Sequence, residues 1–153
     1  KILHRILDSC NRVKLKPSGE IYFIPLDDFY WIERFSKIVE EIKKIDPSNR
    51  TEIWYASIVN TERHRRMLEI KVEDTLEEIL NSAIERLLKI DSQDPSKVRQ
   101  IDEIAKQIEQ ATRMAEKYTK MLKVSLNRTT SLIEKAERLL NKISLLPKLN
   151  LIF

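Results

Sequence analysis

Few side chains in this sequence are of types that catalyse reactions or hold metals. The chain has two histidines, His4 and His64, one cysteine, Cys10, and one glycine. These counts exclude an internal disulfide, a zinc site built from several cysteines, a three-histidine metal site and the glycine-rich phosphate loops. His64 has no nucleophile or carboxylate placed beside it by a known catalytic signature, and Cys10 falls on an apolar helix face, where a core role is expected. We therefore predict no enzymatic activity, no metal site and no cofactor.

Three basic residues near the N-terminus alternate with apolar ones. Arg12, Lys14 and Lys16 are interleaved with Val13 and Leu15. Side chains of a strand alternate between its two faces, so the three cations share one face. That face is either a solvated surface, where lysine discourages edge-to-edge pairing, or a surface that follows phosphates, with an aromatic side chain from a neighbouring strand stacking on a base.

A second basic cluster begins a long predicted helix. Arg63, Arg65 and Arg66 lie in its first turns, where positive charge opposes the helix dipole. A phosphate or an acidic partner would relieve that cost. Pairing with Glu62 or Glu69 would relieve it as well, and the sequence leaves both interpretations open.

A third basic set forms a stripe along the last predicted helix. Its members are Arg113, Lys117 and Lys120, and the seven-residue repeat extends back to Arg99 and Lys106. Outward positions of coiled coils are commonly basic for solubility. If the stripe is functional, we expect it to lie along a nucleic-acid backbone or an acidic partner.

Residues 1–60 predict a small α+β domain with the element order α-β-β-α-β. An amphipathic helix over 1–11 is followed by a hairpin, Arg12–Lys16 and Ile21–Ile24, joined by a Pro-Ser-Gly turn. Asp27 and Asp28 can cap the helix that follows, which ends at Asp46-Pro47. Its apolar positions are Trp31, Ile32, Phe35, Ile38, Val39, Ile42 and Ile45. Residues 51–59 are rich in β-branched and aromatic types and predict a third strand.

Residues 61–146 predict a long antiparallel helical hairpin or coiled coil with its loop at 91–95. From residue 96 onward a heptad repeat carries an apolar seam, in which Ser125 and Thr129 are the polar exceptions. The second helix would be about 75 Å long and the first about 45 Å. Its far half would therefore need another surface, which makes it a predicted site of oligomerisation through Leu132, Ile133, Leu139 and Leu140. Residues 147–153 form an apolar tail that we expect to dock elsewhere or to continue in a longer chain.

Composition sets the broad class. Hydrophobic residues make up 42% and charged residues 34%, and the net charge is +4, so a folded core is expected and contact with nucleic acid is permitted. No run approaches the roughly 18 apolar residues of a membrane-spanning helix. A lone cysteine fits a reducing, cytoplasmic interior. Abundant isoleucine, leucine, lysine and glutamate with scarce glycine resemble thermophile proteins, although an A+T-rich genome gives the same bias.

The hairpin resembles an uncharacterised family found in phages and archaeal mobile elements. The matching positions are Val13 to Gly19, Tyr22, Phe23 and Pro25. Glu20 stands where a second glycine is expected, and lysine replaces arginine at 14 and 16. The resemblance covers roughly residues 12–90. It implies a viral or plasmid context and carries over no catalytic residue.

Two functions follow as expectations. The first is a non-enzymatic interaction protein of a virus or mobile element in the host cell interior. It would bind DNA, RNA or a nucleoprotein complex through the three basic sets. The alternative is a structural coiled-coil protein that self-associates or binds a host protein and has no nucleic-acid role. The expected partners are therefore nucleic acid, a second copy or another protein, and no membrane.

Overall fold

The chain divides into two compact units. The computed structural model describes residues 2–16, 18, 20–90 and 97–149. The N-terminal unit comprises residues 1–64, and the helical unit comprises residues 65–153. The sequence analysis predicts a boundary after residue 60.

The N-terminal unit opens with a helix, a hairpin and a second helix. Its elements are α1 (Ile2–Ser9), β1 (Val13–Lys14), β2 (Tyr22–Phe23) and α2 (Phe29–Ile45), with a 3-10 turn at Leu26–Asp28 leading into α2. β1 and β2 are antiparallel, with Val13 opposite Phe23 and Lys14 opposite Tyr22. The Leu15 amide extends the pairing by donating to the Ile21 carbonyl at 2.9 Å. The predicted hairpin is thus confirmed, while residues 17 and 19 of its turn lie outside the described residues.

A small core joins these elements. Leu7, Cys10 and Ile32 are buried together. The partly buried side chains packed around them are Leu3, Ile6, Tyr22, Ile24, Phe29 and Ile53. Cys10 is completely buried, which agrees with the core role expected from its apolar helix face. The α+β class is confirmed.

The predicted third strand is wrong. Within the described residues the sheet has two strands, and residues 51–60 have no regular secondary structure. This segment contacts α2: Glu52 Oε1 lies 2.8 Å from Lys43 Nζ, and the Tyr55 ring meets Phe29 edge-on at 5.0 Å. Strand propensity measures the fit to a pleated, half-buried surface, and here the β-branched and aromatic side chains lie against a helix instead.

Helix α2 has two apolar faces, which the sequence prediction merged into one. Ile32 and Val39 face the core, together with Ser36. The second face, which we name the α2 seam, consists of Trp31, Phe35, Ile38, Ile42 and Ile45. All of the seam except the half-buried Phe35 is exposed. A core-facing helix needs an apolar arc of roughly 100°, and seven apolar positions exceed that arc.

The helical unit is a bundle of three helices, α3 (Glu62–Leu88), α4 (Val98–Leu122) and α5 (Asn127–Leu149). Arg86, in the last turn of α3, donates to Gln107 in the first half of α4 at 3.1 Å. Arg128, which follows the end of α4, lies 2.9 Å from Glu73 in the middle of α3. The two helices therefore run antiparallel, and their predicted loop lies outside the described residues. α5 packs on α4.

The core of this unit is built from one apolar face of each helix. The buried side chains of α3 are Leu68, Val72, Leu76, Leu80, Ala83, Ile84 and Leu87. Those of α4 are Ile104, Ile108, Ala111, Met114, Ala115, Tyr118 and Leu122. Leu126, Thr129, Ala136 and Ile143 complete the core from the third helix and the corner before it.

The predicted single helix over 96–146 is wrong, because the chain reverses between α4 and α5. Lys123 takes a left-handed conformation with φ 57°. The predicted seam residue Ser125 is exposed, and its neighbour Leu126 is buried in its place. A straight helix would carry its apolar residues beyond α3 into water. The reversal returns them to α4, so the predicted overshoot does not occur, and the two polar seam residues mark the corner.

We expect Lys123→Gly to stabilise the protein by about 1 kcal/mol, because a left-handed residue with a Cβ is strained and glycine is not. Urea unfolding followed by circular dichroism at 222 nm measures the change. In a continuous helix the same substitution would cost about 1 kcal/mol, so the sign of the effect distinguishes the two structures. Lys120→Gly, inside the last turn of α4, is the matched control and is expected to destabilise by about 1 kcal/mol.

Candidate nucleic-acid interface

Arg12, the first of the predicted basic-strand residues, is engaged within its own unit. Its Nη2 lies 2.7 Å from Asp8 Oδ1, and its guanidinium sits 4.5 Å from the centre of the Tyr22 ring. Partial burial raises the pKa of Tyr22, and the hydrogen bond from its hydroxyl to Glu20 at 2.9 Å adds to that effect. Arg12 therefore fastens α1 to the hairpin and is a poor candidate for holding a phosphate.

Lys14 and Lys16 lie on the outer side of the hairpin. Both are exposed, while Val13 between Arg12 and Lys14 is completely buried, as strand alternation predicts. Neither lysine makes a side-chain hydrogen bond or ion pair within the described residues. Tyr22 stands opposite Lys14 in the register, so an aromatic side chain does share this face. These two lysines remain available to a ligand.

The start of α3 is fixed by a local hydrogen-bond network. The His64 amide donates to Thr61 Oγ1 at 3.2 Å, so Thr61 caps the helix. The Thr61 amide donates to the Val59 carbonyl at 2.9 Å. The Val59 carbonyl also accepts from Nδ1 of His64 at 2.7 Å, which requires the proton on Nδ1. His64 is thereby occupied in holding the entry into α3, and its ring has a structural task.

Three arginines project from the helix start that this network fixes. Arg63, Arg65 and Arg66 are all exposed, and we name them the α3 arginine cluster. Within the described residues none of them makes a hydrogen bond or ion pair, and neither Glu62 nor Glu69 neutralises them. Of the two interpretations that the sequence leaves open, internal pairing is thus absent from the described structure.

The predicted stripe on α4 is only partly available. Arg113 pairs with Glu109 one turn earlier. Lys117 is half-buried and has a partner, whereas Lys120 is exposed. Ion pairs spaced four residues apart are typical of a solvated helix face, so this stripe is a weaker candidate than the α3 arginine cluster.

The predicted oligomerisation residues lie on α5. Leu132, Ile133, Leu139 and Leu140 are each half-buried. Leu140 lines a groove beside Ile108 of α4, and Leu139 lines another beside Leu88 of α3. These side chains thus take part in packing within the bundle, a use that the straight-helix prediction did not foresee.

Arg128 makes a charged contact between helices that the sequence analysis missed. Its Nη2 lies 2.9 Å from Glu73 Oε2, and its Nη1 lies 3.0 Å from Glu77 Oε1. The hydrogen bond with Glu73 raises the pKa of Arg128 above its ordinary value. The two glutamates are four residues apart on α3, so they share one face, and that spacing was the available signal. The contact ties the start of α5 to the middle of α3.

A family model covers nearly all of this architecture. The model of DUF6744, described as a family of unknown function, matches residues 1–149. The chain belongs to the DUF6744 family. The comparisons with curated proteins and with solved structures find no match. The match runs through both compact units of the chain.

Two further properties of this DUF6744 chain bear on its site. The residues that the structure describes contain no group of three histidine, cysteine, aspartate or glutamate side chains that could hold a metal ion. Across the same residues, no helix is both long enough and apolar enough to span a membrane.

Arg128→Ala is expected to lower the free energy of unfolding of this DUF6744 protein, because it leaves Glu73 and Glu77 of α3, which are largely shielded from solvent, without their cation. The loss should shrink at high salt, where charges are screened. Urea unfolding at two salt concentrations measures both effects. Arg138→Ala is the control, since Arg138 is 80% exposed and, within the described residues, pairs with Glu134 on its own helix. Equal effects of the two substitutions would contradict a structural role for Arg128.

Proposed function

We propose that this protein is a non-enzymatic nucleic-acid-binding protein of a virus or mobile element, acting in the host cell interior on DNA, RNA or a nucleoprotein complex. The α3 arginine cluster is its main contact. Lys14, Lys16 and Lys120 are exposed and add positive charge that favours binding of a polyanion. The resemblance of the hairpin to phage and archaeal mobile-element proteins supports this context.

The uncompensated charge at the start of α3 is the observation that carries the proposal. Three exposed arginines stand at the positive end of a helix dipole and, within the described residues, form no ion pair with Glu62 or any other carboxylate, which is an unfavourable arrangement in the free protein. An approaching phosphate removes the cost and meets backbone N–H groups as well. Guanidinium groups also present paired donors that match two phosphate oxygens. The arrangement is thus better suited to a bound anion than to the free state.

Aromatic side chains on the segment before α3 favour a single-stranded ligand. Trp54 is 87% exposed and Tyr55 is 57% exposed. The Trp54 indole donates to Glu52 at 3.1 Å, which orients the ring while leaving it open to solvent. Unpaired bases stack on such rings without regard to sequence, and a duplex does not offer them. We therefore favour single-stranded DNA or RNA over a duplex.

Fluorescence anisotropy with labelled single-stranded DNA, RNA and duplex DNA tests the proposal. We expect the Arg63→Ala, Arg65→Ala, Arg66→Ala triple variant to lose about tenfold or more in affinity at about 50 mM salt. The slope of log K against the logarithm of the salt concentration should also become less negative by about 2, since each lost phosphate contact removes about 0.7 from that slope for single strands.

The matched control removes three arginines elsewhere. Arg50→Ala, Arg99→Ala and Arg138→Ala change the net charge equally and lie at exposed positions. If this control loses as much affinity as the cluster variant, binding depends on total charge and the assigned site is wrong. Absence of binding at low salt would refute the nucleic-acid function itself.

Trp54→Ala is expected to weaken binding of single strands by about tenfold, the cost of one lost stacking contact, and to leave duplex binding within about twofold. The ring is almost fully exposed, so its removal should not alter folding. Anisotropy on both ligands measures the difference, and Tyr30→Ala, which removes an exposed aromatic from α2, is the control. A uniform loss on both ligands would contradict a stacking role.

Self-association is the second candidate function, and one observation favours it. The predicted surface, Leu132, Ile133, Leu139 and Leu140, is half-buried within the bundle, but the α2 seam is an exposed apolar face of the kind that structural proteins pair. An indifference of the protein to all nucleic acids, together with a concentration-dependent dimer, would favour this candidate.

A further inference from the structure

The α2 seam has the spacing of a coiled-coil contact face. Its residues follow one another at intervals of four, three, four and three, from Trp31 to Ile45. This is the alternation that keeps one face of a helix turned to a partner. The seam spans about 21 Å of the helix, which corresponds to two heptads.

The seam is distinct from the core of the N-terminal unit. Ile32 and Val39 are 5% and 6% exposed, whereas Trp31 and Ile38 are 54% and 53% exposed and Ile45 is 86% exposed. Successive helix residues are rotated by about 100°. The seam is therefore displaced from the core-facing side by roughly that angle and lies beside it. An apolar stripe of this length, separate from the core, marks an interaction surface.

Two opposite charges flank the seam on its solvent side. Arg34 and Glu41 each lie immediately before a seam residue and are one heptad apart, so they occupy equivalent positions. Both are exposed. Their present partners, Tyr30 and Lys44, are exposed residues of the same helix, and such surface contacts are weak. The flank is thus positive near the N-terminal end of α2 and negative near its C-terminal end.

We propose that the α2 seam binds the α2 seam of a second copy of this chain in an antiparallel, two-fold symmetric pair. Ile38 is the middle residue of the seam, so a two-fold axis there places Trp31 at the height of Ile45 of the second copy. The same axis brings Arg34 within one residue, about 1.5 Å along the helix, of the height of Glu41 of the second copy, and the symmetry repeats that contact. The seam is therefore self-complementary in both apolar content and charge, as an isologous interface requires.

The charges also select the direction of pairing. In a parallel coiled coil, each flanking residue faces the position five residues further along the other helix. Glu41 would then face Asp46 of the second copy, and Arg34 would face Val39, which is already buried in its own core. Like charges placed together are unfavourable. The antiparallel arrangement forms two opposite-charge contacts, and the parallel arrangement forms none.

Sedimentation equilibrium of the full chain, without nucleic acid, tests the dimer. We expect a reversible dimer with a dissociation constant in the micromolar range. Ile38→Asp should raise that constant by about a hundredfold or more, since it places two carboxylates at the axis. Ile70→Asp is the matched control, because Ile70 on α3 is 49% exposed and is subject to the same change in charge. The control should dimerise like the original protein, and circular dichroism confirms that both variants are folded.

Charge reversal supplies a test that does not depend on disrupting the apolar face. Arg34→Glu alone and Glu41→Arg alone should each weaken the dimer by about three- to tenfold, since each turns two attractive surface contacts into repulsive ones. The double variant should recover the original affinity. A mixture of the two single variants should form a mixed dimer tighter than either variant forms with itself, because it restores both opposite-charge contacts.

Three results would overturn the proposal. The first is a protein that stays monomeric at about 100 μM. The second is a dimer that survives Ile38→Asp, which would locate the interface elsewhere. The third is a pair of single charge variants that show no recovery on mixing, which would contradict the antiparallel register. A monomer in which the seam is nevertheless protected from hydrogen exchange would assign the face to another part of this chain. None of these readouts depends on nucleic-acid binding, so the two proposals stand or fall separately.

Discussion

Coverage of one apolar surface is the constraint on which the helical unit depends. Two antiparallel helices, α3 and α4, bury only part of their apolar faces against each other. The chain resolves this by turning back at Lys123, so that α5 supplies Ala136 and Ile143 to the same core. Arg128 then holds the start of α5 against Glu73. Without the reversal the bundle would lack its third helix, and the leucines of α5 would have no neighbouring helix to pack against.

The arginines of this protein differ in whether they link elements of the fold. Arg12 joins α1 to the hairpin through Asp8 and Tyr22, Arg128 joins α5 to α3, and Arg86 joins α3 to α4. Each of these contacts links two elements. The α3 arginine cluster links nothing within the described residues. Formal charge alone does not reveal this division, because it depends on which carboxylates the fold brings within reach.

Sequence patterns predicted the local elements better than their association. The Pro-Ser-Gly hairpin and helices α1, α2 and α3 follow from short-range spacing and were found. The strand at 51–59 failed, because strand formation needs a partner edge and Tyr55 packs on Phe29 instead. The heptad after residue 96 predicted the correct faces, but the reversal at Lys123 depends on the length of α3. Internal pairing of the α3 arginine cluster was one of two open alternatives, and only the three-dimensional neighbours could show that it is absent from the described residues.

The complete burial of Cys10 has a practical consequence for the unit that holds it. Thiol reagents reach such a side chain only when the surrounding structure opens, so their reaction rate reports the opening of that structure. Cys10 is the single cysteine of the chain and lies in the N-terminal unit. The rate of its modification therefore reports how often α1 separates from the hairpin, and it does not report local opening of the three-helix bundle. The protein therefore contains an intrinsic probe of local opening in the N-terminal unit, measured separately from opening of the helical unit.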